Sequence, residues 1–186
     1  MAFIEVIPEN QADGELKEIY EQLISSRGKL AEVHKIQSLN PKTIVAHMEL
    51  YMSIMFAKSP LRRWQREMIA VIVSKHNNCP YCIAHHAEAL NHFWKDQAKI
   101  EQLLSDYSKI GLPEADLALC EQAARLTTKP GEMNELGVKK LKKVGFSDRA
   151  ILDCSLVISY FNFVNRMVLS LGVELEKEGA GGYEYN

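Results

Sequence analysis

Apolar residues recur at helical spacing along almost the whole chain. The first stripe follows an i, i+3, i+4, i+7, i+8 pattern and predicts an amphipathic helix that ends near Gly28. Its members are Leu16, Ile19, Tyr20, Leu23 and Ile24. No segment alternates apolar and polar residues with the period of two that is typical of a half-buried strand. The pattern therefore predicts an all-α protein.

Capping residues and prolines divide the pattern into further helices. Asparagine or serine followed by proline marks a helix start, because the first residue caps the helix and proline suits its first turn. Such pairs at 40–41 and 59–60 start the second and third helices, and the third is predicted to run to about His76. A pair of asparagines at 77–78 separates it from a fourth helix, which continues to about Trp94.

Capping residues, prolines and glycines divide the second half of the chain into helices in the same way. A helix begins after Pro113 and ends at 129–131, and a shorter one stops at Gly145. Ser147 then caps a long helix that is predicted to reach about Leu175. We expect one helical domain over residues 1–186, with a glycine-rich and extended tail. The tail is placed at 179–186.

A weak internal sequence similarity relates the two halves of the chain. Residues 73–77 resemble residues 158–162, and in this register Val164 and Met167 occupy the places of Cys79 and Cys82. Two related helical halves, of which the second has lost its thiols, would produce such a similarity. Chance similarity between two apolar helices would produce it equally well, so both interpretations stay open.

The composition argues against several classes of partner. A formal net charge of -2 and the lack of a basic stripe give no electrostatic basis for binding nucleic acid or an anionic membrane. The first residues lack the basic and long apolar regions of a signal peptide. The most apolar run, 151–175, is interrupted by charged and amide residues and predicts a buried helix rather than a membrane span. We therefore expect a cytoplasmic protein, whose thiols are kept reduced.

The segment 78–86 contains the residues with the clearest chemistry. Cys79 and Cys82 stand three positions apart and His86 follows four positions later, which places all three on one face of a helix. Pro80 suits the first turn, so both thiols are expected near a helix start, where backbone N–H groups and the helix dipole favour a thiolate. The pattern is that of a redox dithiol, with His86 able to exchange a proton with Cys82.

Glu67 is a carboxylate on an apolar helix face. Trp64 and Val71 share its face, and a buried carboxylate is costly unless it is paired, hydrogen-bonded or protonated. The short break at 77–78 would bring this helix beside the cysteine helix, where a pKa raised by burial would make Glu67 a proton carrier. The alternative is a boundary glutamate that pairs with Arg63 or Arg66, and the pattern alone does not choose between them.

These residues resemble a known motif. Glu67, Cys79 twelve positions on, Cys82 three further on and His86 four beyond are similar to the motif of AhpD-like alkylhydroperoxidases, within the carboxymuconolactone decarboxylase superfamily. The strong similarity covers about 60–94, and the chain as a whole resembles the "peroxidase-related" branch. The resemblance implies an all-helical AhpD-like bundle, a homo-oligomer such as a dimer, trimer or hexamer, and reduction of hydroperoxides.

The resemblance also implies roles for single residues. Cys82 would attack the peroxide, Cys79 would resolve the sulfenic acid as a disulfide, and His86 and Glu67 would relay protons. A lipoyl-bearing or thioredoxin-like protein would be the external dithiol reductant, and no organic cofactor is expected because no glycine-rich nucleotide loop is present. Tyr81 is a departure, because better-known members carry histidine there and a phenol with a pKa near ~10 shuttles protons poorly at neutral pH.

Four alternatives to this function stay open, one of which is a purely structural or interaction protein whose cysteines pack or bind metal incidentally. Cys79, Cys82 and His86 could bind zinc with a further histidine or Glu67, although no second ligand pair is visible in the sequence. The same dithiol could serve a general disulfide oxidoreductase without peroxidase activity, which Tyr81 favours. A lactone decarboxylase is disfavoured, because the superfamily's namesake enzymes do not rely on this dithiol.

The remaining cysteines and histidines are predicted to have structural places. Cys120 and Cys154 lie alone in apolar helical patterns and are expected to pack in the core. His85 points about 100° away from His86 around a helix, so we expect it at the surface or at a subunit interface. His34 and His47 have no neighbours in the sequence that indicate a function.

Overall fold

The computed structural model describes residues 2–182, so part of the predicted extended tail at 179–186 lies outside the described residues. Within that range the chain forms nine α-helices, three short 3-10 turns and no strand, which confirms the all-α prediction. The helices are α1 Gly14–Arg27, α2 Glu32–Lys35, α3 Pro41–Met55, α4 Arg63–His76, α5 Pro80–Trp94, α6 Gln97–Asp106, α7 Glu114–Thr128, α8 Glu135–Lys143 and α9 Asp148–Leu171.

Helix α4 is the centre of the molecule. Its residues from Arg66 to Ser74 are all buried, and it packs against α5, α7 and α9. A helix that is apolar on all sides must be enclosed by others, and this one forms the middle of the main hydrophobic core. A smaller core between α1 and α3 contains Tyr20 and Ile44. The central position of α4 explains how Glu67 comes to be fully buried.

Most predicted helix boundaries are confirmed, and the start of α4 is not. The helix begins at Arg63 rather than after the Ser-Pro pair at 59–60, and the side chain of Gln65 accepts from the backbone N–H of Arg62 at the helix start. The Ser59 hydroxyl instead accepts from the backbone N–H of Leu61 and donates to a carboxylate of α9, so it stabilises a turn before the helix. The Ser-Pro pair therefore marks a real turn of the chain, but it predicts the start of the helix about one helical turn too early.

Two further differences between the prediction and the structure concern the end of α9 and two helices that were not predicted, α2 and α6. Ser147 caps α9 as predicted, accepting from the backbone N–H of Ala150. The helix ends at Leu171, four residues before the predicted end at Leu175, and it is closed by Gly172 with a φ of +67°. The sequence interpretation missed α2 and α6 altogether, because α2 is a single turn and α6 has only two buried residues.

The second half of the molecule does not repeat the helix break of the first. Helix α4 stops at His76 before the asparagine pair, whereas α9 continues without interruption through the corresponding positions. The amide of Asn77 nevertheless donates to the side chain of Asn162, its counterpart in the predicted register. Origin by duplication stays a prediction.

Helix α9 is the helix among residues 2–182 that is long and apolar enough to cross a membrane. Of its most apolar window, 44% is buried inside the fold. Its buried members include Asp153, which accepts from the Ser59 hydroxyl before α4, and Asn165, which is hydrogen-bonded to Ser74 of α4. We therefore read it as a core helix of a soluble helical domain, as the sequence predicts.

Candidate active site

The turn between α4 and α5 places the two cysteines. Asn78 adopts a φ of +52°, in the left-handed region that asparagine tolerates better than most residues. The backbone N–H of Cys79 then donates to the carbonyl of Ser74 at 3.0 Å, which fixes the start of α5. Cys79 is the N-cap residue, Pro80 occupies the first position of the helix, and Cys82 lies in its first turn, as predicted.

The two thiols form one hydrogen-bonded pair. Their sulfur atoms lie 2.6 Å apart, and both side chains are buried. The hydrogen bond to Cys82 lowers the pKa of Cys79 against the opposing effect of burial, whereas the same bond and burial raise the pKa of Cys82. The pair therefore shares one negative charge, and a second thiolate beside the first is strongly disfavoured.

The expectation that Cys82 loses its proton first stays a prediction, because two thiols joined by one hydrogen bond titrate as a pair. The Cys79 thiol donates to the Cys82 sulfur, an arrangement that would stabilise a negative charge on Cys82. Of the two sulfurs, only that of Cys82 contributes to the wall of the cavity described below, so Cys82 is the one that a substrate can meet.

Asn165 connects α9 to the thiols. Its amide donates to the Ser74 hydroxyl at 3.4 Å, and its carbonyl accepts from the amide of Asn77 at 3.2 Å. A hydrogen bond from Asn165 also acts to lower the pKa of Cys82, against the stronger effects of Cys79 and of burial. Asn165 therefore favours a thiolate on Cys82, a role that the sequence interpretation did not assign to it.

Glu67 contacts His86, as the sequence interpretation proposed, and also contacts Arg63, as its alternative proposed. Its Oε2 atom lies 2.8 Å from Nδ1 of His86, and its Oε1 atom accepts from Nε and Nη2 of Arg63 at 3.1 and 2.5 Å. The guanidinium of Arg63 lies 3.8 Å above the ring of Phe56, which holds it in place. Glu67 therefore makes the ion pair with Arg63 that the alternative proposed, but it is fully buried rather than at the boundary of the core.

The predicted direction of the Glu67 pKa shift is wrong. Burial raises the pKa of Glu67, but the hydrogen bond and charge of His86 and those of Arg63 outweigh burial and lower it. Glu67 is therefore a fixed negative charge near neutral pH rather than a proton carrier. Its contact with Nδ1 leaves Nε2 as the atom through which His86 exchanges protons.

A cavity of about 90 Å³ brings the predicted residues together. Cys82, His86, Glu67 and Tyr81 all contribute to its wall, as does His85. The wall is rich in aromatic rings and aliphatic side chains, most of which the sequence interpretation missed because they come from four further helices, α1, α2, α3 and α9, and from the segment before α2. These further lining residues are Arg27, Ala31, Val33, His34, His47, Tyr51, Ala89, Tyr160, Phe161 and Val164.

The expected surface position of His85 is wrong. Its Nε2 atom lies 2.8 Å from Oε2 of Glu176, and its ring centroid lies 4.4 Å from that of Tyr81. The Tyr81 hydroxyl donates to Oε1 of Glu176 at 2.9 Å and accepts from the backbone N–H of Val33. The 100° rotation from His86 was correct, but the segment after α9 covers that face of α5. No sequence signal marked Glu176, which lies 91 positions from His85.

His34 and His47 form a buried histidine pair in the same cavity wall. Their ring centroids lie 5.8 Å apart, and His47 contacts the Tyr160 hydroxyl at 2.6 Å. Burial lowers the pKa of His34 to about 3, with a smaller effect from His47, and burial lowers the pKa of His47 to about 4. Both rings are therefore neutral near pH 7, and the expectation that they lack functional neighbours is wrong in three dimensions.

The other predicted positions have clear outcomes. Cys120 and Cys154 are fully buried, as predicted, and burial raises the pKa of both, to about 12 for Cys154. Across residues 2–182, no three His, Cys, Asp or Glu side chains are arranged to hold a metal ion. The side chains that the zinc alternative requires are paired instead, His86 with Glu67 and His85 with Glu176.

Comparison with known proteins agrees with this site. Residues 41–119 match the sequence model of the carboxymuconolactone decarboxylase family. An uncharacterised peroxidase-related protein from Silicibacter sp. TM1040 has 28% identity and a TM-score of 0.84, over 97% of this chain and 94% of that chain. The alkylhydroperoxidase AhpD core protein from Ralstonia eutropha JMP134 has 22% identity and a TM-score of 0.85, over 95% and 93%. No protein with a curated description matches the chain.

The fold also occurs with another named activity. The debrominase Bmp8 has 19% identity and a TM-score of 0.78, over 94% of this chain and 92% of that chain. At this identity the likeness concerns the fold alone. Residues 41–119 therefore resemble the carboxymuconolactone decarboxylase family, and the AhpD-like fold extends over almost the whole chain, in agreement with the resemblance of the motif.

Proposed function

We propose that the protein is a thiol-dependent hydroperoxide reductase that uses Cys79 and Cys82. The observation that carries this proposal is the shared cavity, whose wall contains both Cys82 and a histidine that a buried carboxylate orients. Thiolates are strong nucleophiles towards the O–O bond, and an oriented imidazole is the usual group for removing the thiol proton. Similarity to peroxidase-related proteins over almost the whole chain supports the same chemistry.

The proposed reaction proceeds in two balanced steps. The Cys82 thiolate attacks the peroxide, so that an S–O bond forms, the O–O bond breaks, and sulfenic acid and alcohol result after uptake of one proton. Cys79, now carrying the thiol proton, attacks the sulfenic sulfur and releases water as the disulfide forms. An external dithiol then reduces the disulfide by exchange. The hydrogen bond between the two sulfurs suits this order, because a charge on Cys82 leaves the resolving thiol protonated.

The cavity favours an organic substrate over hydrogen peroxide. Its wall contains Tyr51, Tyr160 and Phe161 together with aliphatic side chains, and burial of an alkyl or aryl group against them would contribute binding energy. Hydrogen peroxide offers no apolar surface. We therefore propose alkyl or aryl hydroperoxides as the substrate class, and expect a lower KM for cumene hydroperoxide than for hydrogen peroxide.

Burial of the thiols restricts the reductant. Cys79 is 0% exposed and Cys82 is 2% exposed, so a folded protein face cannot reach either sulfur without rearrangement. A dithiol on a slender arm could enter the cavity. Of the two expected reductants, we therefore propose the lipoyl-bearing protein over the thioredoxin-like one, within a cytoplasmic homo-oligomer.

Turnover with a substrate panel tests the proposed function. Purified protein is supplied with dihydrolipoamide and, in turn, cumene hydroperoxide, hydrogen peroxide and 2,3,4-tribromopyrrole, the last because Bmp8 shares the fold. The proposal expects rapid consumption of the organic hydroperoxide and none by a Cys82→Ser variant. Oxidation of dihydrolipoamide without peroxide consumption would instead favour a general disulfide oxidoreductase, and release of bromide would favour a dehalogenase.

A further inference from the structure

Helix α5 carries two adjacent residue pairs, each of which consists of a histidine and the residue four positions before it. Cys82 and His86 form one i, i+4 pair, and Tyr81 and His85 form another in the neighbouring row. Each histidine contacts a buried carboxylate from a different element. His86 contacts Glu67 of α4 at 2.8 Å, and His85 contacts Glu176 of the segment after α9 at 2.8 Å. The proposed reaction has so far used only the first of these two histidines.

Glu176 is held as firmly as Glu67. It is 9% exposed and accepts three hydrogen bonds, from the Tyr81 hydroxyl, His85 and the backbone N–H of Glu32 at the start of α2. Burial raises its pKa, but the bonds from His85 and from Glu32 outweigh burial and lower it to about 2. A fixed carboxylate on Nε2 sets the orientation of the His85 ring, which lines the cavity.

The proposed reaction needs a proton at a second place. Breaking the O–O bond of an alkyl hydroperoxide leaves an alkoxide, which is strongly basic and departs poorly unless it is protonated as the bond breaks. His86 is engaged with the Cys82 proton, which must be removed before the attack. A second acid within the cavity would separate the two tasks, one histidine removing the thiol proton and the other protonating the departing oxygen.

We propose that His85 is the catalytic residue that protonates the departing alkoxide, and that Glu176 and Tyr81 position it. This role rests on the proposed hydroperoxide reductase function. The imidazolium of His85 gives its Nδ1 proton to the alkoxide oxygen, which leaves as the alcohol, and takes a proton back from water. Tyr81 then orients Glu176 through its hydroxyl and packs its ring against His85, so it does not itself have to shuttle a proton.

The dependence of the rate on the leaving group tests this role. Single-turnover formation of the Cys82 sulfenic acid is measured with tert-butyl hydroperoxide, which releases an alkoxide, and with peracetic acid, which releases a carboxylate that needs no proton. For His85→Asn we expect the rate with tert-butyl hydroperoxide to fall roughly 10- to 100-fold, within the range of general acid catalysis, and the rate with peracetic acid to change less than about 3-fold.

Four further variants separate this role from a structural one. Glu176→Gln and Tyr81→Phe should show the same selective loss to a smaller degree, because they act through His85. Glu178→Gln, an exposed change in the same segment, should alter neither rate. His86→Asn should slow both substrates, because both need the thiolate. The peracetic acid rate is also the internal test of folding, since a disrupted site would lose it.

Two results would overturn the role of His85. Equal slowing with both oxidants in His85→Asn would mean that the residue maintains the site, and an unchanged rate with tert-butyl hydroperoxide would mean that it is not the acid. A wild-type protein that reacts with neither oxidant would overturn the hydroperoxide reductase function and this role with it. A wild-type protein that reacts with both, combined with either of the first two results, would overturn the role of His85 alone.

Discussion

His86 and Glu67 lie nineteen positions apart in the chain, and their side chains meet at 2.8 Å between Nδ1 and Oε2. The asparagine turn at 77–78 makes this contact, because it folds α5 back along α4. The contact explains why a carboxylate can stay ionised in the centre of the fold, where an unpaired charge would be very costly. It also leaves Nε2 of His86 to exchange protons with the thiol pair.

Glu67→Gln should impair thiolate formation while keeping both thiols. The amide retains the shape but not the charge that stabilises the imidazolium of His86, so we expect peroxide turnover at pH 7 to fall roughly 10- to 100-fold. Loss of the charged hydrogen bonds to His86 and Arg63 should lower the free energy of unfolding by about 1–3 kcal/mol. Stopped-flow thiol oxidation across pH and urea unfolding measure the two effects.

Glu88→Gln is the matched control for Glu67→Gln. It makes the same chemical change at an exposed position of α5 and should alter neither the rate nor the stability. Wild-type kinetics in Glu67→Gln would show that the carboxylate has no part in the reaction.

Substitution of the two cysteines by serine should impair turnover in different ways. Cys82→Ser should abolish turnover, because the sulfur that lines the cavity is lost. Cys79→Ser should complete one oxidation and then stop at the sulfenic acid, which dimedone traps and mass spectrometry locates at Cys82. Trapping at Cys79 in a Cys82→Ser variant, with full turnover, would reverse the assignment of the two roles.

Cys120 and Cys154 should not react in the folded protein. Burial raises the pKa of both thiols and removes them from solvent. We expect Ellman's reagent to titrate them only after unfolding, and Cys120→Ala with Cys154→Ala to retain wild-type peroxide kinetics. Rapid labelling of either thiol in the native protein would show that the core opens on the timescale of the assay.

Acid should destabilise the fold from about pH 6.5 downwards. Burial lowers the pKa of His34 to about 3 and of His47 to about 4, against about 6.5 in the unfolded chain. The unfolded state therefore binds protons first, so that stability is fully present above about pH 6.5 and is lost as the pH falls towards the folded values. Each histidine contributes a slope of up to about 1.4 kcal/mol per pH unit.

His34→Leu isolates one of these two contributions. Urea unfolding between pH 6 and pH 4.5 should show a slope smaller than that of the wild type by up to about 1.4 kcal/mol per pH unit. The lowered pKa values of Glu67 and Glu176 act in the same direction, but only below the unfolded value of about 4.3. An unchanged slope in His34→Leu would mean that this ring is already protonated in the folded state.

Local patterns predicted most of the helices and the chemistry of α5. The spacing of Cys79, Cys82 and His86 requires only a helix, and Pro80 marks its first turn, so the sequence was sufficient. The start of α4 was misplaced because Ser59 and Pro60 also suit a turn, and because Arg62, the residue before the true start, is not a common N-cap residue.

Contacts between distant segments were the part that the sequence could not supply. Glu176 reaches Tyr81 across 95 positions from a segment without helical period, so no periodic pattern marked it. The sign of the Glu67 pKa shift depends on whether two hydrogen-bonded partners outweigh burial, and that balance follows only from their distances. His34 and His47 also meet only in the fold, so the sequence alone could not show that they form a pair.

The most direct test of the central claim is a free-thiol count on metal-free protein before and after one equivalent of cumene hydroperoxide, with mass spectrometry to locate any bridge. The account predicts rapid loss of two thiols and a Cys79–Cys82 disulfide, with Cys120 and Cys154 unchanged. Four thiols still reduced after exposure would contradict it, and the dithiol would then have to serve another electrophile or a metal.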